Sequence, residues 1–77
     1  PYMVIGQTVL LAKKHEGKVL DYKTLNAPNF TVISKLGTTG DLAARKYFAK
    51  AKLKQFESEA EAALEVRAGR ADAFVYD

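Results

Sequence analysis

Apolar residues recur with two different periods along this chain, and the period predicts which segments are strands and which are helices. Alternating or continuously apolar runs predict strands at residues 7–12, 30–34, 53–56 and 71–76. Helical spacing begins near Gly40 and again after Ser58. A single helical turn capped by Asp21 is predicted at residues 21–25, before the chain breaks at 26–29.

The helix that begins near Gly40 has an apolar and a polar face. The apolar face, predicted to pack into the core, consists of Ala43, Ala44, Tyr47 and Phe48. Asp41, Arg45 and Lys46 mark the polar face. The two aromatic residues are therefore interpreted as core residues and not as a stacking platform.

The second helix carries signals for both of its ends. Ser58 and Glu61 have the spacing of a capping box, and Gly69 is a typical residue at a helix C-terminus. The acidic residues of the first turn suit the positive end of the helix dipole. The face predicted to be buried consists of Ala60, Ala63, Leu64 and Ala68.

From residue 30 onward the predicted order is strand, helix, strand, helix, strand. This alternation predicts an α/β fold, a three-layer αβα sandwich with a mainly parallel sheet and right-handed crossovers. Ligands of such sheets bind beyond the carboxyl ends of the strands, near a topological switch point. In the common 2-1-3 strand order, the ends of the first and third of these strands are neighbours.

A turn with two glycines and two threonines, residues 35–41, follows the first of these strands. Free N–H groups at the start of the next helix, with the hydroxyls of Thr38 and Thr39, suit an anion, although a plain helix cap uses the same residue types. Asp77 follows the third strand and is either an acceptor for a cation or an exposed terminal residue. A ligand with a carboxylate and an ammonium on one carbon, an α-amino acid, satisfies both groups.

Composition narrows the classes of function. The 77 residues, 48% hydrophobic and 27% charged, describe one small globular domain. The absence of cysteine excludes disulfides, thiolate catalysis and cysteine-ligated metal. A net charge of +3 with dispersed lysines favours a solvated surface over a nucleic-acid site. The single histidine, His15, is interpreted as a surface residue, and no cofactor or metal site is predicted.

Five segments carry a resemblance to a known family. The chain resembles part of the second lobe of a bacterial periplasmic amino-acid-binding protein, of the type that serves ABC transporters for polar amino acids. The matching segments, in the family's order and spacing, are Pro1-Tyr2 with Gly6-Gln7, Leu36-Gly37-Thr38-Thr39-Gly40, Ser58-Glu59-Ala60-Glu61-Ala62, Gly69-Arg70-Ala71-Asp72-Ala73 and Tyr76-Asp77. The implied fold is one lobe of a type II periplasmic binding protein.

The resemblance implies a role for each site residue. The hydroxyl and N–H groups of Thr38 and Thr39 hold the ligand carboxylate, and Asp77 receives its ammonium. Lys35 occupies a position that contacts the ligand in some relatives, although a solvent-facing lysine is the alternative. Gly69 and Asp72 shape the helix end and the strand that follows.

The resemblance also implies partners. Residues 1–77 are expected to be a single partial domain, because the first lobe, which normally supplies an arginine and aromatic residues to the ligand, is missing. The expected partners are a polar L-amino acid, that first lobe and a transporter permease, with a periplasmic location. The fragment's uncovered sheet edges also allow a homodimer or a strand swap.

Three other functions stay open. The same fold serves as a sensory domain of membrane receptors, which only flanking sequence distinguishes. A dehydratase-like enzyme on this fold has acid–base candidates only in Asp77, Glu57 and Lys35. A flavodoxin-like phosphate site fits the turn, but Asp77 beside it would repel phosphate.

Overall fold

The computed structural model describes residues 2–4, 6–15 and 22–76. The strands are β1 Tyr2–Val4, β2 Gln7–Leu11, β3 Thr31–Lys35, β4 Lys52–Phe56 and β5 Ala73–Tyr76. The helices are α1 Tyr22–Leu25, α2 Thr39–Tyr47 and α3 Glu59–Arg67, with a 3-10 turn at Lys13–His15. The predicted elements are therefore present, and the predicted cap Asp21 lies outside the described residues.

One sheet contains all five strands in the order β1-β2-β5-β3-β4. β3 lies between β4 and β5 and is parallel to both, whereas β2 is antiparallel to β5 and β1 antiparallel to β2. The three parallel strands thus have the predicted 2-1-3 order, with the first of them in the middle. The ends of β3 and β5 are consequently neighbours.

Helices cover both faces of this sheet, which confirms the three-layer α/β fold. The strands alternate, so Ala73 and Val75 face one layer while Phe74 faces the other. The core on the α2 side consists of Val9, Leu25, Val32, Ala44, Phe48, Ala73 and Val75. The core on the α3 side consists of Ala12, Ile33, Ala62, Ala71, Phe74 and Val66.

The predicted buried face of α3 was wrong. The helix packs through Ala62 and Val66, while Leu64 is 60% exposed. The predicted ends are correct, because the Ser58 hydroxyl accepts from the Glu61 N–H at 3.4 Å and Gly69 has a φ of +79°. Alanines occur on both sides of this helix, so their spacing does not identify the face that meets the sheet.

The prediction of a half-buried β4 was also wrong. Its residues 52–55 are exposed, and Phe56 is only partly buried. β4 is the last strand in the sheet order, so one of its edges faces outward. Lysine side chains on such an edge discourage pairing with another strand.

His15 is buried, not on the surface as its charged sequence neighbours suggested. Its Nε2 lies 2.8 Å from Oδ1 of Asp72, and its ring lies 5.7 Å from that of Phe30. Asp72 also accepts from the Thr31 N–H at 2.8 Å and lies 3.2 Å from Nζ of Lys14. This cluster joins residues just beyond β2, at the start of β3 and just before β5. It bears out the shaping role expected for Asp72.

The other end of β5 contacts the first turn of α2 closely. A Cβ atom on Gly40 would lie 2.8 Å from the carbonyl oxygen of Val75 and 3.1 Å from Cα of Tyr76. Only glycine permits this approach without displacing backbone atoms. The absence of a side chain at position 40 therefore allows α2 to lie this close to the end of β5.

We expect Gly40→Ala to destabilise the chain by about 2 kcal/mol, because overpacking against backbone outweighs the gain of about 1 kcal/mol in helix propensity. Urea unfolding followed by circular dichroism measures the difference. Leu42→Ala is the control, since Leu42 lies in the same helix and is 67% exposed. A Gly40→Ala variant as stable as the unmodified chain would contradict the close contact.

We expect the chain to lose stability as the pH falls below about 4. Burial alone would raise the pKa of Asp72, but hydrogen bonds from Thr31, His15 and Lys14 outweigh it and lower the pKa. A lowered folded-state pKa gives stability that is present above the unfolded pKa and is lost as pH falls through the folded one. Asp72→Asn should therefore cost about 2 kcal/mol at pH 7 and progressively less towards pH 3. Urea unfolding across this range tests this, and a cost that does not change with pH would contradict it.

Candidate functional site

The turn at residues 35–41 joins the end of β3 to the start of α2. Thr38 is the N-cap of α2, where its hydroxyl accepts from the Asp41 N–H at 3.2 Å and donates to the Lys35 carbonyl at 2.8 Å. Gly37 has a φ of +80°, a conformation that favours glycine. The turn therefore contains the helix cap that the sequence allowed, and the cap engages the hydroxyl of Thr38.

The remaining donors of the turn lie one residue further along. Thr38 donates its own N–H to the Lys35 carbonyl at 3.3 Å. The N–H groups of Thr39 and Gly40 have no acceptor among the described residues. The hydroxyl of Thr39, which is exposed, also donates to no described residue. These groups stand at the positive end of a nine-residue helix. The donors of the turn that lack an acceptor among the described residues are thus those of Thr39 and Gly40.

Asp41 lies beneath the turn and is only 4% exposed, so its predicted place on the polar face was wrong. Its Oδ1 accepts from the Ser34 hydroxyl at 2.8 Å and from Nε2 of Gln55 at 2.7 Å. Its Oδ2 accepts from the Gly37 N–H at 3.3 Å and lies 3.4 Å from the Arg45 guanidinium. Local sequence patterns carry no signal for this burial, because two of the donors lie on strands β3 and β4.

These donors also set the ionisation of Asp41. Burial alone would raise its pKa, but the hydrogen bonds from Gln55, Ser34 and Gly37, with Arg45 nearby, outweigh burial and lower the pKa. Asp41 is therefore an anion at neutral pH, and both of its oxygens are engaged. It is a poor candidate for a general base.

The contact at Gly40 brings the turn next to the end of β5. Gln7, at the start of β2, is also close, since its Oε1 would lie 3.4 Å from a Cβ on Gly40. That oxygen is buried and has no hydrogen-bond partner within the described residues. Gln7 belongs to the segments that carry the resemblance, but its sequence position predicts no role for it.

Two of the predicted site residues are not tested by this geometry. Asp77 lies outside the described residues, so its role as the ammonium acceptor stays a prediction. Lys35 is the last residue of β3, partly buried and paired in register with Phe56. Its contact with a ligand also stays a prediction.

Among the residues that the structure describes, no group of three histidine, aspartate or glutamate side chains is arranged to hold a metal ion. Within the same residues, no helix has the length and apolar character needed to cross a bilayer.

Comparison with protein-family models and with curated proteins gives no match. Solved structures do match. AncCDT-1, an ancestral cationic amino-acid solute-binding protein, is 45% identical with a TM-score of 0.86, over 92% of this chain and 31% of that one. AncCDT-1 is also described as a precursor of cyclohexadienyl dehydratase, and an ancestral form of that dehydratase matches too.

Two natural proteins give the same result. A putative ABC-transporter binding component from Wolinella succinogenes, complexed with lysine, is 44% identical with a TM-score of 0.83, over 100% of this chain and 33% of that one. Domain 2 of TmArgBP, from T. maritima, is 36% identical with a TM-score of 0.75, over 94% of this chain and 75% of that one.

The chain spans about a third of the length of the whole binding proteins that it matches, but three quarters of the isolated second domain. Its parallel 2-1-3 strands and flanking helices agree with that coverage. The chain therefore belongs to the family of amino-acid-binding proteins of ABC transporters, with the type II periplasmic binding fold, and it corresponds to their second lobe.

Proposed function

We propose that this chain forms one half of an amino-acid-binding site in a two-lobed solute-binding protein. The single observation that carries the proposal is that the N–H groups of Thr39 and Gly40, at the start of α2, have no acceptor among the described residues. A carboxylate seated there accepts charge-assisted hydrogen bonds at the positive end of a helix dipole. Family membership supports an amino acid as the source of that carboxylate.

Each predicted site residue then has a chemical task. Thr39 offers its N–H and hydroxyl to the carboxylate, whereas Thr38 must release the Lys35 carbonyl before its hydroxyl can donate. Asp77, which follows β5, accepts from the ligand ammonium. Lys35 stands at the start of the turn, where its ammonium adds positive charge near the carboxylate.

The ligand is proposed to be a polar L-amino acid, with a cationic one as the first choice. Two observations on relatives support this choice: AncCDT-1 is a cationic amino-acid-binding protein, and the Wolinella protein was captured with lysine. We assign selectivity for the ligand side chain to the first lobe. The contacts proposed for this lobe involve the α-carboxylate and α-ammonium groups, which all amino acids share.

The proposed mechanism is closure of two lobes around the ligand. Each lobe contributes part of the contacts, and the closed form is the one that delivers the amino acid to a transporter permease. This places the protein in the periplasm or anchored outside the cell. A single lobe lacks half of the contacts and is expected to bind weakly.

A dehydratase is the second candidate, because an ancestral cyclohexadienyl dehydratase matches the chain. Against it, the buried carboxylate nearest to the turn, Asp41, is engaged by hydrogen bonds and has a lowered pKa. Acid–base chemistry would rest on Asp77, Glu57 or Lys35. Dehydration of a cyclohexadienyl substrate by the full protein, lost in Asp77→Asn, would establish this function in place of transport.

We expect the full two-lobed protein to bind L-lysine or L-arginine in the micromolar range or tighter in isothermal titration calorimetry. Under the same conditions the isolated 77-residue chain should give no measurable binding, because half of the contacts are absent. Micromolar binding by the isolated chain would contradict the division of the site between two lobes.

We expect Thr39→Val to weaken amino-acid binding by the full protein about tenfold, the loss of one charge-assisted hydrogen bond of roughly 1.4 kcal/mol. Thr31→Val is the matched control, since Thr31 lies at the opposite end of β3 and keeps its backbone bonds. Equal effects of the two substitutions would overturn the assignment of the carboxylate to this turn.

A further inference from the structure

The turn is held in shape by a side chain that does not face the proposed ligand. The Asp41 carboxylate accepts three hydrogen bonds. The donors are the Ser34 hydroxyl at the end of β3, the Gln55 amide on β4 and the Gly37 N–H in the turn itself. Three segments of the chain therefore converge on one buried carboxylate. The Gly37 bond, at 3.3 Å, is the direct link to the turn.

Asp41 also acts on Thr38 through its backbone. The Asp41 N–H donates a hydrogen bond to the Thr38 hydroxyl oxygen, and the same hydroxyl donates to the Lys35 carbonyl. The Asp41 side chain thus holds Gly37, while its backbone N–H, which Asp41→Asn keeps, is hydrogen-bonded to Thr38. The next two N–H groups of the chain, on Thr39 and Gly40, share one end of α2 and find no acceptor in the part of the chain that the structure describes.

The groups around position 41 favour a carboxylate there. The groups that face it from β3, β4 and the turn are all donors, and Arg45 adds a cation from one turn further along α2. An amide of the same shape would place its own NH2 group against one of these donors. The lowered pKa of Asp41 agrees with an acceptor-only group in this position.

We propose that Asp41 is a positioning residue of the amino-acid site, holding Gly37 and Thr38 so that the N–H groups of Thr39 and Gly40 point together at the ligand carboxylate. The inference rests on the proposed function, because it assigns the ligand to that turn. The inference goes beyond the proposed function because it attributes part of the binding affinity to a side chain that does not touch the ligand. A carboxylate that only stabilises the fold would have no such effect.

Asp72 provides a matched comparison. It is also buried, accepts from a backbone N–H and a side chain, and has a lowered pKa, but it lies at the opposite end of β3. Asp41→Asn and Asp72→Asn should both lower stability. Only Asp41→Asn should change the turn.

The experiment has two readouts. Amide ¹⁵N relaxation of the full protein without ligand reports the order of Gly37, Thr38, Thr39 and Gly40, and calorimetry with L-lysine and L-arginine reports affinity. We expect Asp41→Asn to lower the order parameters of these amides and to weaken binding at least tenfold. Asp72→Asn should leave the order parameters unchanged and alter affinity less than twofold.

Gln55→Ala is the second variant, for the case in which Asp41→Asn does not fold. Gln55 lies on the exposed strand β4 and contributes one of the donors to Asp41, so its loss should loosen the turn and weaken binding by a smaller factor, about threefold. Ordered turn amides in both variants overturn the positioning role. Loosened amides with unchanged affinity also overturn it.

The failure of the proposed function is visible separately. If the unmodified protein binds no amino acid, the site assignment fails whatever the relaxation data show. If the unmodified protein binds and the Asp41 and Asp72 variants weaken binding equally, the site assignment stands and the positioning role fails.

Discussion

The contact between Gly40 and the end of β5 is the constraint on which the candidate site depends. A parallel sheet in 2-1-3 order brings the ends of β3 and β5 side by side, but a helix that starts after β3 normally needs room for its side chains. Glycine at position 40 removes the side chain where backbone atoms of Val75 and Tyr76 come closest. The positive end of α2 can then lie directly beside the end of β5.

Buried carboxylates secure both ends of this arrangement. At one end Asp72 joins the starts of β3 and β5 with His15, and at the other Asp41 joins β3, β4 and the turn. Each carboxylate is surrounded by donors, so burial does not leave its charge unpaired. The two networks differ in what they support, since one lies far from the turn and the other directly beneath it.

The fold was predictable from the sequence because its signals are local. Strand and helix periods, the capping box at Ser58 and the stop at Gly69 depend on neighbouring residues, and the order of elements limits the topology to few choices. The buried face of α3, the exposure of β4 and the burial of His15 depend on tertiary contacts. Asp72, which partners His15, is 57 residues away in the sequence, so no window along the chain reveals the pair.

The candidate site was predictable only in part, for the same reason. Glycines and threonines at 37–40 indicated the turn, and the strand order indicated which strand end would lie beside it. The same residue types also allowed a helix cap that engages the Thr38 hydroxyl, but nothing local indicated that Asp41 would lie beneath the turn. The burial of Asp41 follows from donors on β3 and β4 that reach position 41 only when the sheet has formed.

The most direct test of the central claim is a crystal structure of the full two-lobed protein with L-lysine bound. We expect the ligand carboxylate oxygens to lie about 2.7–3.2 Å from the backbone nitrogens of Thr39 and Gly40, with the ligand ammonium at Asp77. A ligand whose carboxylate is held elsewhere, with these two N–H groups facing water, would contradict the account.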